Sequence, residues 1–441
     1  MAAPKLLRKN SPQRATKEPY TFPEIPQKTR EQFLYLTVLF TFVTGFFFNG
    51  PREILEGLYR IHTSTSILLS DYMEIGNIGS AFVNSALLML LSVIVAKKSK
   101  TTVGGPLIAA VFTIGGFAFF GKNLYNSLPI MGGVLLHATF LKEPFGKFIL
   151  PAFFGTALGP LVSQISFGYS WPLTYSIPLG IAAGVLAGFI LPPLASQFIR
   201  FHQGYNLYNI GFTCGIVGML SMSLLRGFAL ENDRTSVLLS EGNFGLTVYL
   251  SVLFLGMILF GLIHDRGYQR GLSHLLKRPG QLVSDFVASD GFSVTLLNMG
   301  LLGFLSMGYL LAAGGSINGP IIGGIFTVVG FGAFGKHVKN VLPIMAGIYL
   351  ANLIFQWEVS AIGSLLAALF ATTLAPIAGA YGILPGILAG FLHMAVVMNV
   401  GSLHGGMNLY NNGFSGGFVA AILVPVLDSL NISKHTWEED E

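Results

Sequence analysis

A single cysteine, Cys214, stands in 441 residues. That excludes an internal disulfide and any cage of cysteines around a metal. Charge is also scarce: Asp, Glu, Lys and Arg together make up 10% of the chain, against about 25% in an average soluble domain. Carboxylates are nearly missing from the apolar stretches. This weighs against the paired acids of a proton- or sodium-driven pump, although backbone carbonyls can also hold sodium. There is no H-E-x-x-H and no Cys/His cluster, so no metal and no cofactor is expected. The net charge of +5 is spread over short loops, where it reads as an orientation signal and not as a nucleic-acid surface.

Apolar sequence fills the space left by charge. Hydrophobic residues reach 52%, and runs of roughly 20 apolar residues, enough to cross a bilayer, recur along the chain. Glycine is abundant, at 55 residues; in membrane helices it lets backbones approach and helices break. The expected fold is an all-α membrane protein, embedded in the lipid bilayer, with about 10–14 hydrophobic segments. Residues 1–30 carry seven Lys/Arg and two Glu with no apolar core. They read as a basic disordered arm and not as a cleavable signal peptide. Residues 429–441 read as a polar tail.

The body between these ends is duplicated. His202-Gln203-Gly204-Tyr205-Asn206-Leu207-Tyr208-Asn209-Ile210-Gly211-Phe212 returns as His404-Gly405-Gly406-Met407-Asn408-Leu409-Tyr410-Asn411-Asn412-Gly413-Phe414, giving the pattern H-x-G-x-N-L-Y-N-x-G-F. Tyr35-Leu36 returns as Tyr249-Leu250, an offset of 214 (249 − 35), and Ser70-Asp71 returns as Ser284-Asp285 at the same offset. The block G-P-x-I-x-x-x-F-T-x-x-G-F-x-x-F-G-K runs from Gly105 to Lys122 and again from Gly319 to Lys336. Asn126-Ser127-Leu128-Pro129 then pairs with Asn340-Val341-Leu342-Pro343. The repeats are placed at residues 31–228 and 244–428.

Loop charges indicate that the second repeat is inverted. Cytoplasmic loops are enriched in Lys and Arg, so the basic arm is expected inside. The loop before the second repeat, Glu231–Asn243, has one arginine, Arg234, and three acids. Lys97, Lys98 and Lys100 face an uncharged stretch in the equivalent loop, while Arg266, Arg270, Lys277 and Arg278 follow the first span of the second half. Alternation of this kind requires an odd number of crossings per repeat. Five spans with two re-entrant segments fit, and so do seven spans.

In inverted-repeat transporters the substrate lies near the midplane, among broken helices at the repeat interface. Asn206, Asn209, Asn408 and Asn411, with Tyr208 and Tyr410, are therefore candidate pore residues, since four amides could replace water around a small polar solute. The same amides could equally cap or knit broken helices. Phe112 and Phe120, with Phe326 and Phe334, lie at helical spacing beside Thr113 and Thr327, a slot for a flat neutral solute or ordinary core. Asn126 and Asn340 join this set. Lys122 and Lys336 each follow a glycine at a segment end, where snorkelling to the interface is the plain expectation; turned inward, they would favour an anion. His202 and His404 are candidate proton relays or caps. Gly413-Phe414-Ser415-Gly416-Gly417 satisfies the G-x-S-x-G of a hydrolase elbow, with His393 as a partner. Thr213 stands where Ser415 would be in the first repeat, so a glycine-rich helix start is the simpler reading and no enzyme is expected.

Across essentially the whole chain the sequence is similar to an uncharacterised prokaryotic family of polytopic membrane proteins that carries a domain-of-unknown-function label. In plan it also resembles the urea-transporter family, through Leu128-Pro129 and Leu342-Pro343, the phenylalanine pairs and the two N-L-Y-N-x-G segments. That likeness implies two inverted halves with re-entrant helices, phenylalanine slots and a homo-oligomer, a trimer in that family; a dimer is the other expectation. The functional expectation is a channel-like transporter for a small polar solute of the urea, amide or ammonia class. Its rival is an ion-coupled carrier of a small anion or metabolite, and an intramembrane hydrolase is the distant third. The expected location is a prokaryotic inner membrane, with the N-terminus cytoplasmic.

Overall fold

The computed structural model describes residues 21–232, 236–239 and 242–432. Most of the basic arm, Arg234 and the last nine residues of the tail lie outside them. The first repeat comprises α1 (Gln27–Phe48), α2 (Pro51–His62), α3 (Tyr72–Ile75), α4 (Ile78–Lys98), α5 (Gly105–Phe117), α6 (Leu124–Phe140), α7 (Ile149–Gly155), α8 (Gly159–Phe167), α9 (Leu173–Phe198) and α10 (Asn209–Gly227). The second comprises α11 (Phe244–His264), α12 (Tyr268–Leu275), α13 (Phe286–Ser289), α14 (Phe292–Ala312), α15 (Gly319–Gly330), α16 (Val338–Phe355), α17 (Ile362–Phe370), α18 (Ala375–Tyr381), α19 (Ile383–His404) and α20 (Asn411–Ser429). Each element thus has a counterpart ten places on. The first helix starts at Gln27, inside the stretch read as a disordered arm, and Arg30 on it reaches back to the carbonyl of Ile25 at 2.9 Å.

Among the described residues, eleven segments are long and apolar enough to cross a membrane. The chain is an integral, multi-pass membrane protein. α5 and α15 are shorter, at 13 and 12 residues, and are buried nearly all round. Their sequence explains the start of each: a proline in the first turn, where its missing N–H costs nothing. Two segments are broken in the middle. α7 passes to α8, and α17 to α18, through a 3₁₀ turn followed by Gly159-Pro160 or Ala375-Pro376. Proline supplies no N–H and interrupts the ladder, so carbonyls at the break seek other donors.

Those donors come from the opposite repeat. The amide of Leu409 donates to Ala157 O at 3.1 Å, and the amide of Leu207 donates to Thr373 O at 3.0 Å. Each H-x-G-x-N-L-Y-N segment therefore plugs the broken helix of its twin. Irregular backbone at membrane depth is tolerated because its polar groups are paired within protein.

The repeats are inverted, and helix directions show it. The start of α5 meets the end of α15, since a Cβ on Gly105 would collide with the carbonyl of Ala333. The start of α15 meets the end of α5, where Gly319 abuts the carbonyl of Phe119. α10 and α20 likewise overlap head to head, with Gly211 against Tyr410 and Gly413 against Tyr208. Equivalent helices that run antiparallel are related by a two-fold axis perpendicular to them, which for spanning helices lies in the membrane plane.

Two aspartates tie the halves together. Asp71 accepts from the amides of Met73 at 2.9 Å, Gly319 at 3.1 Å and Leu239 at 3.1 Å. Asp285 accepts from Gly105 N at 2.9 Å and Ala288 N at 3.1 Å. Each carboxylate thus caps the short helix of the other repeat, where the helix dipole favours negative charge.

Candidate functional site

The lysines that end the repeated block set the geometry. Gly121 and Gly335 have φ of +82° and +122°, a region open to glycine. They turn the chain so that the amides of Lys122 and Lys336 bond Phe117 O at 3.1 Å and Phe331 O at 2.9 Å. Asn84 on α4 holds this turn with one amide nitrogen, 2.7 Å from Ala118 O and 2.8 Å from Lys122 O. Asn298 on α14 does the same for Gly332 O and Lys336 O, both at 2.8 Å. The lysine side chains are aimed inward by this frame, and both are fully buried. They do not snorkel.

Each lysine Nζ meets a tyrosine of the other repeat's H-x-G-x-N-L-Y-N segment. Lys122 Nζ donates to Tyr410 OH at 2.8 Å. Lys336 Nζ donates to Tyr208 OH, and to Thr372 Oγ1 at 2.7 Å. Aromatic faces complete the shell: Lys122 lies 5.2 Å from the Phe117 ring centre and 4.8 Å from that of Tyr410. Lys336 lies 5.2 Å from Phe331 and 4.5 Å from Tyr208. Among the described residues no carboxylate pairs with either lysine. A desolvated cation–π contact returns about 2 kcal/mol or more, which offsets part of the several kcal/mol that burying an ion costs.

The tyrosines and phenylalanines bound a cavity of about 160 Å³ on the two-fold axis. Its wall contains equivalent pairs: Thr113 with Thr327, Phe117 with Phe331, Phe154 with Phe370, and Tyr208 with Tyr410. Ring contacts repeat the symmetry, with Phe117–Tyr410 at 4.6 Å and Phe331–Tyr208 at 4.7 Å. Phe117–Phe370 and Phe154–Phe331 follow at 5.4 and 5.6 Å. The hydroxyl of Thr113 is buried with no partner among the described residues, whereas that of Thr327 donates to Gly323 O at 2.7 Å. The symmetry is broken at one mouth. Leu282 and Val283 line the cavity there, and Val283 is 81% exposed. Their counterparts, Leu68 and Leu69, are covered: Val237 of the linker between the repeats bonds Leu69 O at 3.0 Å.

The sequence-derived candidates divide as follows. Thr113, Thr327, Tyr208, Tyr410, Asn209 and Phe334 line the cavity. Phe112 and Phe326 instead pack on each other at 5.7 Å where α5 crosses α15, and Phe120 is buried against Gly323. Asn206 is buried, with its nitrogen on Gly413 O at 2.9 Å and its oxygen accepting from Thr373. Asn408 accepts from Tyr410 N at 3.1 Å, and Asn411 opens α20. Asn209 is held by Ala195 O at 2.9 Å and by His202 Nε2 at 3.0 Å. His404 stands edge-on to Phe414 at 4.7 Å. Asn126 and Asn340 cap helices and bond Gly121 O and Gly335 O. Ser415 donates to Asn411 O, while His393 bonds Asn412. Asn84, Asn298, Phe117, Phe331, Phe154 and Phe370 escaped the sequence reading. An asparagine inside an apolar run at the same place in both repeats was the available signal for the first two.

The profile of a family described as "Protein of unknown function (DUF1576)" matches residues 50–227 and again 264–429. No curated protein matches the chain significantly, and no solved structure does.

Proposed function

The chain belongs to the DUF1576 family, and from that premise and the axial cavity we propose that it is a carrier for a small anion with a compact apolar body. The observation that carries this reading is the pair of buried lysines without a carboxylate, each reached through a cavity-lining tyrosine. A buried lysine that carries its charge needs a counter-charge, and intramembrane ionisable residues mark substrate pathways. The cavity volume, about 160 Å³, is near that of an engineered apolar cavity that holds benzene. The largely apolar wall suits an apolar body.

Of the asparagine amides that would serve a neutral-solute channel, those of the first repeat are occupied, while Asn408 Nδ2 and Asn411 Oδ1 are buried without a partner among the described residues. Both ends of Asn206 and of Asn209 already bond the protein. Access from one mouth, with the other covered by the linker, suits a carrier that alternates between sides.

The test is flux in proteoliposomes for benzoate, acetate, formate, urea and ammonium, with and without a proton or sodium gradient. Saturable flux of the carboxylates is expected, with benzoate competing against the smaller acids. Gradient-independent flux of urea alone would restore the channel, and no flux of any solute would remove transport.

A further inference from the structure

A second cavity, about 650 Å³ in volume, lies beside the open mouth, between the start of α16, the start of α19 and the connection after α12. We propose that it is a binding site for the headgroup of an anionic phospholipid. Its polar end carries Lys277, Arg278 and Lys339 and no acidic residue. Arg278 is partly neutralised by Asp290 at 3.3 Å, while Lys277 and Lys339 are exposed and have no ion pair among the described residues. Its other end is apolar, with Leu342 and Ile383 45% and 67% exposed.

Those two leucine and isoleucine side chains sit on helices that cross the membrane, so acyl chains lie against them. Only an amphiphile with an anionic head satisfies both ends; free phosphate would satisfy the lysines alone. Basic pockets between spanning helices hold such headgroups. The feature belongs to one repeat: Asn123 and Tyr125 stand where His337 and Lys339 do, and Thr63 where Lys277 does. With inverted repeats, the site faces one leaflet. His337, in the cavity wall, bonds Arg278 O at 2.8 Å and is next in sequence to Lys336, so a bound lipid abuts the frame of the transport site without touching it.

Native mass spectrometry of the full chain, titrated with phosphatidylglycerol or phosphatidylcholine, tests this. Wild type is expected to retain one phosphatidylglycerol in preference to phosphatidylcholine. Lys277→Gln with Lys339→Gln should weaken that binding roughly thirtyfold. The control Lys98→Gln with Lys100→Gln, two exposed lysines elsewhere, should leave it unchanged, and millimolar inorganic phosphate should not displace the lipid. Equal loss in both double variants, no loss in either, or displacement by phosphate would each overturn the proposal.

Discussion

Replacing both lysines, Lys122→Met with Lys336→Met, is expected to reduce carboxylate flux by about a hundredfold or more while leaving the protein at least as resistant to heat. The two readouts move apart for a physical reason. Truncating one member of a buried charged contact costs about 2–5 kcal/mol of binding, and 2.8 kcal/mol is about a hundredfold. Folding sees the opposite sign. Two lysine amino groups buried with hydroxyl and aromatic partners only are a burden to the folded chain, and apolar groups of similar volume are neutral or stabilising in such positions. Methionine is unbranched and fits the space left by a lysine stem. Purified variant and wild type are compared by melting temperature in detergent and by initial flux. A variant that melts well below wild type would make the lysines structural; one that melts normally and transports normally would remove them from the site.

Asp71→Ala should destabilise the chain by about 3 kcal/mol or more, because up to three amide donors lose their acceptor and each orphaned group costs about 1–3 kcal/mol. Met73, Gly319 and Leu239 are those donors, drawn from both repeats and from the linker. Asp71→Asn retains one acceptor oxygen but turns its amide nitrogen toward the donors that the second oxygen served, so it is expected to cost about 1–3 kcal/mol, less than Asp71→Ala. Asp285→Ala should fall between these, since Asp285 is half-buried and serves two amides. Thermal unfolding in detergent orders the three variants. If Asp285→Ala proved more damaging than Asp71→Ala, the staple through the linker would not be the stronger one.

The duplication, the inversion and the importance of the H-x-G-x-N-L-Y-N segments were legible in the sequence because each leaves a one-dimensional trace: matched offsets and alternating loop charge. The wall of the cavity was not. α5 is buried on nearly every side, so no polar face tells which phenylalanines look at the axis. Phe112 and Phe120 lie at helical spacing in the sequence, but α5 ends at Phe117, and it is Thr113 and Phe117, four apart, that share the stripe lining the cavity. The direction of the lysines was equally hidden. A lysine at a segment end can reach water or turn in, and here the choice is made by Asn84 and by a tyrosine 288 residues away. The asparagines of the motif were read as solute ligands because their amides count as free in a sequence. In the fold, Asn206 and Asn209 are taken by Gly413 O, Thr373, Ala195 O and His202, whereas Asn408 Nδ2 and Asn411 Oδ1 have no partner among the described residues.

Thr113→Cys offers the most direct measurement, since Cys214, the one native cysteine, is buried and Thr113 lines the axial cavity. A small methanethiosulfonate reagent should modify the new thiol and abolish carboxylate flux in proteoliposomes. Saturating benzoate should slow the modification, and wild type should be unaffected. Complete modification with flux unchanged would contradict transport through the cavity between the repeats.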